Sequence, residues 1–499
     1  MITEAEMSSE QSLATFISKI FGPAGRKSEI NLDTDFFIAG IDSLQVINAS
    51  RSLRATLGVG PAALNARTFY RHPTPRRLAR FILHPMTNGG AEGCSEEKDV
   101  DTRIAKTMYE KYTYNLTSGK PGRPEAPSDN QVILLTGSTG ALGSYLLDQL
   151  IRNPAIKTVV CLNRATDGGV GQQEKQMRDR GLAYDLKHTS KVEYLHVDLS
   201  DNRFGLRENA YSSLLKRVHR IIHNAWPVNF NISTETFEPH LRGVRHLADF
   251  AAEADHRVAV VFISSIGTVH HWDPTSGSVP EERMEDWSLP SNSYGRSKMA
   301  GSLILDDAAA VGDFPAASIR VGQIAGPEAN AGMWNRKEWL PSMIASSLYM
   351  GILPRDLGSH NRVDWVPVER VAKLVLDVVG AAPERRIRAN EINGYFHAVN
   401  ASVTTWDKLA PAVQQYYGAR INRLVSWQEW VDRLENSPTE KDIEANPGLK
   451  LVETYRGMAL GAAPVILDLQ RTNKRSETMT EAPMISAELM KQWLRQWSF

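Results

Sequence analysis

The chain has 499 residues, and its 57 lysines and arginines balance 57 aspartates and glutamates. That length accommodates two to four domains, and zero net charge excludes a global field drawing nucleic acid or an anionic membrane. Cys94 and Cys161 are too few for a disulfide framework or a cysteine-rich metal site, and no apolar run reaches membrane-span length, so the expectation is a soluble cytoplasmic protein.

Residues 1–85 read as a small all-α unit. Leu13, Phe16, Ile17 and Ile20 mark one face of a helix over Glu10–Phe21. A second helix starts at about Ser43, with Val46, Ala49, Leu53 and Leu57 three or four apart. A short third includes Arg67–Tyr70, and a fourth starts at Thr74-Pro75, an N-cap followed by proline at the first helical position. Ser43 opens the second helix, where a phosphodiester would meet the positive helix end. An isolated Asp-Ser-Leu would read more simply as an ordinary first-turn serine. The whole stretch Asp35-Phe-Phe-Ile-Ala-Gly-Ile-Asp-Ser-Leu, however, resembles the modification site of acyl and peptidyl carrier domains, and the Tyr70-x-x-Pro73-Thr74 stretch agrees. The resemblance implies a covalent 4'-phosphopantetheine arm on Ser43, attached by a phosphopantetheinyl transferase.

Residues 86–130 read as linker, with Gly- and Pro-rich stretches at Asn88–Gly93 and Gly119–Pro127 and a helix over Asp101–Tyr112 between them. The neighbour on which that helix docks is open.

From Gln131 strands and helices alternate. Val132–Leu135 is a short apolar run, followed by glycines at 137, 140 and 143 and then Leu142, Leu146 and Leu150 at helical spacing. A strand, a glycine loop and a helix start form the setting for a dinucleotide pyrophosphate, with Gly137, Ser138, Thr139, Gly140, Leu142 and Gly143 as contacts. The second strand ends at Arg164, about twenty residues past the loop, where an arginine accommodates the 2'-phosphate of NADPH. Further strands are expected at Val192–Val197 (ending in Asp198-Leu199), Arg220–His223 (running into Asn224), Val258–Ile263 (ending in Ser264-Ser265) and Ala317–Val321. The pattern predicts an α/β fold with a doubly wound parallel Rossmann sheet and ligands at the carboxyl ends of its strands. Asn224 could fix the sheet or face the cofactor. His219, His223 and His270-His271 lack a ligand pattern, and no metal is predicted.

Tyr294 and Lys298 are four apart, on one face of a predicted helix. A lysine beside the ring would lower the phenol's pKa from roughly 10 toward the working range. Alone the pair would be a chance surface feature. Behind a dinucleotide loop and a strand ending in serines, it reads as catalytic.

These residues resemble the extended short-chain dehydrogenase/reductase family. More closely, they resemble the thioester reductase domains of non-ribosomal peptide synthetases and carboxylic acid reductases. The resemblance rests on Thr136–Leu147, Cys161-Leu-Asn-Arg164, His223-Asn-Ala-Trp226, Ile263-Ser-Ser-Ile266 and Arg320-Val-Gly-Gln-Ile324. Trp334–Ser342 and Val363–Val368 resemble the fungal, synthetase-like aryl-acid reductases. The resemblance implies that Tyr294 is the proton donor, that Lys298 orients the ribose and tunes the tyrosine, and that Ser265, or the adjacent Ser264, assists. It implies NADPH-dependent release of a carrier-bound acyl thioester, aryl in character, as an aldehyde. It also implies an adenylation domain on another protein or further along a longer synthetase. The set-asides are a redox-independent cyclising release domain, a nucleotide-sugar epimerase or dehydratase, and a non-catalytic NADPH-binding scaffold. The expected division is 131–330 for the NADPH-binding domain and 331–499 for a smaller C-terminal substrate-binding part, whose tryptophans mostly fill a core while Trp334 and Trp365 reach the acyl pocket.

Overall fold

The computed structural model describes residues 9–21, 30–36, 39, 41, 43–60, 64, 66–83, 92–182, 190–230, 232–383, 387–437, 444–459 and 465–499. Phe37, Ile38, Gly40 and Asp42 of the Ser43 motif, and linker residues 88–91, lie outside them. Ser43 itself is placed by its backbone.

Four helices form the N-terminal unit: α1 (Glu10–Ile20), α2 (Ser43–Leu57), α3 (Ala66–Arg71) and α4 (Pro75–Leu83). The hydroxyl of Ser9 accepts from the Ser12 amide at 3.1 Å and satisfies one free N–H at the start of α1. Leu13 and Ile17 of α1 meet Val46 and Leu53 of α2 and Leu78 of α4 around Phe36 and Phe69. The spacing that predicted the helices is therefore the spacing that closes this core. Ser43 is the first residue of α2. Two turns along, Arg51 donates to the Glu435 carbonyl at 3.0 Å, tying this unit to the C-terminal part of the chain.

The linker helix is longer than expected. It spans Glu92–Thr113 as α5. Beyond it, seven parallel strands form one sheet: β1 (Gln131–Thr136), β2 (Ile156–Asn163), β3 (Val192–His196), β4 (Arg220–His223), β5 (Ala259–Ser265), β6 (Ala316–Val321) and β7 (Gly394–Ala398). Their order is β7-β6-β5-β4-β1-β2-β3, so the chain reverses direction across the sheet between β1 and β4. Such a reversal opens a crevice at the strands' carboxyl ends.

The connecting helices are α6 (Ala141–Arg152), α7 (Val170–Asp179), α8 (Glu208–Arg217), α9 (Glu238–Glu253), α10 (Ser293–Gly312), α11 (Trp339–Met350) and α12 (Val368–Val379). Helices α6 and α12 cover one face of the sheet, and α8, α9 and α10 the other. Ala105, Met108 and Tyr112 of α5 join this second core against α9 and α10. Arg123, a little further on, donates to the carbonyls of Ala251 and Gly312 at 2.6 and 2.5 Å.

The sequence reading ended the sheet at Val321. Strand β7 was missed because Gly394–Ala398 is short and lies far along the chain from β6, in the part expected to form only the smaller subdomain. Helix α12 and β7 thus return from that part to complete the dinucleotide-binding layer. The remainder forms a separate core in which Trp406, Trp430, Trp493 and Trp497 are fully buried. Among the described residues, no helix is long and apolar enough to cross a membrane.

Candidate active site

The loop after β1 bends back on itself so tightly that a Cβ on Gly143 would sit 2.0 Å from the Gly137 carbonyl oxygen. Gly143 therefore lets the start of α6 lie flat on its own loop. Ser138 is fully buried and exchanges hydrogen bonds with Asn163, and the Leu142 side chain points into the core. Both were expected to contact the cofactor, and in each case packing turns the side chain away. From this loop Gly137, Thr139 and Gly140 line a cavity of about 560 Å³ at the carboxyl ends of β1, β2 and β4.

Arg164, Asp198, Leu199 and Asn224 line the same cavity. Arg164 is exposed at the end of β2. The hydroxyl and amide of Ser200 both donate to Asp198 and hold its carboxyl below the usual range, with Arg164 and His240 adding to the effect. Asn224 resolves its two readings by combining them. Its Nδ2 donates to the Gly137 carbonyl at 3.1 Å, bracing the glycine loop while the residue borders the cavity.

Sequence reasoning missed three cavity residues. Thr136 Oγ1 accepts from the amides of Asn224 and Ala225 at 3.1 and 3.0 Å, so its own proton goes to His223 Nδ1, 2.8 Å away. That fixes the proton of the neutral imidazole on Nε2. Burial keeps His223 neutral, with its pKa down at about 3. Burial likewise lowers His240 to about 4. Trp226 completes the wall. The Nε2 of His223 and the Nε1 of Trp226 have no hydrogen-bond partner among the described residues. The signal that could have found them was in hand, since His223-Asn-Ala-Trp226 was already a family motif.

The cavity fits a nicotinamide dinucleotide on these grounds. The Thr139 amide lies at a helix start, the exposed Arg164 cation lines the same cavity, and the unpartnered nitrogens of His223 and Trp226 stand in its wall.

On the other side of β4, the hydroxyls of Ser264 and Ser265 part company. Ser264 is buried against Ser302, Oγ to Oγ 3.0 Å. Ser265 faces Tyr294, and its hydrogen bond draws the phenol's pKa down. The register between the two serines is therefore decided for Ser265. Close approach of the two elements needs Gly295, where a Cβ would lie 2.3 Å from the Gly267 carbonyl. Asn292 caps α10, its Oδ1 accepting from the Gly295 amide at 2.8 Å.

One expectation fails. Burial outweighs Ser265 and pushes the Tyr294 phenol up to about 12. Lys298 does not offset it. Its Nζ donates to the Ile263 carbonyl at 2.5 Å and stands over the rings of Trp226 and Phe262, 4.4 and 4.6 Å from their centroids. It is 6.0 Å from the Tyr294 centroid. Burial holds its own pKa well below that of a free lysine.

Trp334 and Trp365, the residues expected at the acyl pocket, pack against each other. Both are interior, edge to face at 5.7 Å, and Trp334 also packs on Trp493 and Trp497. Its indole donates to Glu338 at 2.7 Å. A large apolar surface gains more from this shared core than from a wet cleft. Trp339, partly exposed at the start of α11, donates to Gln323 two residues past the end of β6.

His219 Nδ1 accepts from the Val132 amide, and His270 Nδ1 pairs with the hydroxyl of Ser291. Among the described residues, no group of three His, Cys, Asp or Glu side chains could hold a metal ion.

Comparison with known proteins places these features. Residues 135–375 match the family model described as Male sterility protein, an NAD-binding domain, and residues 13–82 match that of the phosphopantetheine attachment site. The chain is 44% identical over its full length to a carboxylic acid reductase of Neurospora crassa, of which it covers 47%. It is 31% identical over 86% of its length to adenylate-forming reductase Nps10 of Heterobasidion annosum, covering 39% of that protein. The chain thus spans less than half the length of these curated relatives. Among solved structures, it superposes on the terminal R domain of the myxalamid PKS-NRPS pathway with a TM-score of 0.67, at 20% identity over 79% of this chain and 98% of that one. A thiolation-reductase di-domain from an archaeal non-ribosomal peptide synthetase matches with a TM-score of 0.65, at 17% identity over 97% of each chain. At those identities the structural matches speak for the fold.

Proposed function

From the premise that this chain joins a carrier domain of the phosphopantetheine attachment-site family to a reductase domain of the Male sterility protein family, we propose that it releases a carrier-bound acyl thioester as an aldehyde, using NADPH. The observation that carries this reading is that Lys298 stands over Trp226, a wall of the cavity that the glycine loop and Arg164 also line, and shares α10 with Tyr294, which meets Ser265, in a chain that also presents Ser43 at a helix start.

We assign residues 1–85 to the carrier, 131–330 to the NADPH-binding domain and 331–499 to the C-terminal substrate-binding part, from which α12 and β7 return to the NADPH-binding sheet. Residues 86–130 are the connection, and its helix rides on the reductase. A phosphopantetheine on Ser43 supplies the thiol that holds the acyl group. A bound dihydronicotinamide supplies the hydride for the thioester carbonyl. The chain's own residues do the rest. Thr139 offers a backbone donor to a pyrophosphate, Arg164 meets the 2'-phosphate, and Asp198 and Leu199 border the adenine side. Ser265 donates a hydrogen bond to the carbonyl oxygen as negative charge grows there, and Tyr294 Oη–H supplies the proton; the C–S bond then breaks, the hydroxyl proton passing to the departing sulfur, which leaves the aldehyde and the free carrier thiol. Lys298 holds α10 to β5, which fixes the distance between these two donors.

The chain takes part in a longer reaction sequence. An adenylation domain must form the thioester, and a phosphopantetheinyl transferase must prime Ser43. Cys161, fully buried, with its thiol pushed up to about 12 by burial, suits the reducing cytoplasm.

The test is NADPH oxidation by the primed protein loaded with aryl and alkyl acyl groups, with products identified by mass. Aldehyde appearing in step with NADPH loss is the expected result. Acyl release without NADPH loss would instead favour the cyclising, redox-independent alternative or a hydrolase.

A further inference from the structure

The Tyr294 ring has two aromatic neighbours of opposite character. Phe237 is wholly buried and meets it at 6.2 Å between centroids. Phe230 meets it at 5.1 Å, at an interplanar angle of 74°, yet 49% of Phe230 is exposed. Two residues earlier Val228 is 70% exposed. Both belong to the segment that leaves the cofactor cavity at Trp226 and Pro227. Phe237 and the Ser265 hydrogen bond already locate the phenol, so the position of Tyr294 does not require Phe230. An exposed ring and an exposed valine beside a reacting hydroxyl are apolar surface that a ligand would cover.

We infer that Phe230, with Val228 beside it, is the surface on which the acyl group of the thioester rests, and that it selects aromatic over short aliphatic acyl groups. The inference rests on the reductase reading above. The occupant follows from distance. Whatever lies on the Phe230 ring is one ring's width from the phenol, and the group held there during reaction is the substituent of the carbonyl carbon. The contact with Tyr294 leaves about half of Phe230 exposed, which suits an aryl group in offset stacking. The selectivity then comes from ring contact that an acetyl group cannot make.

The experiment uses the full chain with soluble S-benzoyl and S-acetyl pantetheine thioesters. It reads kcat and KM for each, together with NADPH affinity from nucleotide fluorescence. Phe230→Ala is expected to raise the benzoyl KM about tenfold, to leave the acetyl KM within about twofold and to leave NADPH affinity unchanged. Phe230→Tyr, which keeps the ring, should restore the benzoyl KM. Equal rises for both esters, a fall confined to kcat, weaker NADPH binding, or no change at all would each overturn the proposal. Wild-type protein that binds NADPH but reduces neither ester would overturn the reductase reading itself, and that outcome is visible before any variant is compared.

Discussion

Lys298 donates its ammonium proton to the carbonyl of Ile263, two residues before Ser265 on the same strand. The contact pins α10 to β5, and with it Tyr294 to Ser265. Burial penalises the charged amine, so replacing it with an apolar side chain of similar length relieves that penalty. Lys298→Met is expected to melt at or above the wild-type temperature. Its NADPH affinity should fall about tenfold and its kcat at least as far. A variant that melts lower, with activity lost only in proportion, would make Lys298 a packing residue.

Tyr294→Phe should lower kcat by roughly 10²–10⁴, the usual contribution of a positioned proton donor, with NADPH binding nearly unchanged. With its pKa raised to about 12, the phenol keeps its proton throughout the neutral and mildly alkaline range. The rate should therefore show no alkaline fall from this group below pH 9. A kcat profile that breaks near pH 8 in wild type and is lost in the variant would contradict the assignment.

Arg164→Asp places a carboxylate where the 2'-phosphate is expected, near Asp198. NADPH affinity should drop about 10–100-fold while NADH affinity changes little, as measured by fluorescence titration of each nucleotide. Equal loss for both would place Arg164 outside the 2'-phosphate site.

Ser43→Ala should abolish turnover of an acyl group loaded on the chain and spare soluble pantetheine thioesters. Failure with both would mean that the serine is needed for the fold, which a melting curve would show directly.

Buried histidines should cost stability on acidification, offset in part by Glu338 and Asp306, whose carboxyls burial raises to about 7 and 6 so that the fold takes up their protons first. Burial holds His223 and His397 neutral, each with its pKa near 3. The unfolded chain takes up protons at these histidines below about pH 6.5 and the fold does not until about pH 3. Unfolding is thus favoured as pH drops through that window, by about 1.4 kcal/mol per pH unit for each such proton. The urea midpoint should decline between pH 6.5 and 4, and His397→Gln should flatten the decline.

What could be read from the sequence was local. The three-residue glycine spacing, the four-residue step from Tyr294 to Lys298 and the apolar runs ending at Ser265 and Val321 follow from backbone periodicity. What escaped depends on which way a side chain turns after packing. Leu142 sits one residue from the start of α6 and the core claims its side chain, while at Gly143 the loop's own carbonyl leaves no room for a side chain. Trp334 and Trp365 have the composition of a binding pocket but lie within a core made by other tryptophans. His223 shows the converse. Its tautomer is set by Thr136, eighty-seven residues earlier, a relation that no local pattern contains.

Helix α5 lies on α9 and α10, and only eight residues separate its start from the end of α4. Such a span reaches at most about 29 Å. The carrier domain is therefore held by its covalent connection within about that reach of the reductase, and its local abundance is set by the reach, in the millimolar range usual for short connections. Dilution leaves that abundance untouched. Self-delivered turnover should then be first order in enzyme down to the lowest assayable concentrations, and a freely diffusing acyl carrier would have to approach millimolar levels to compete.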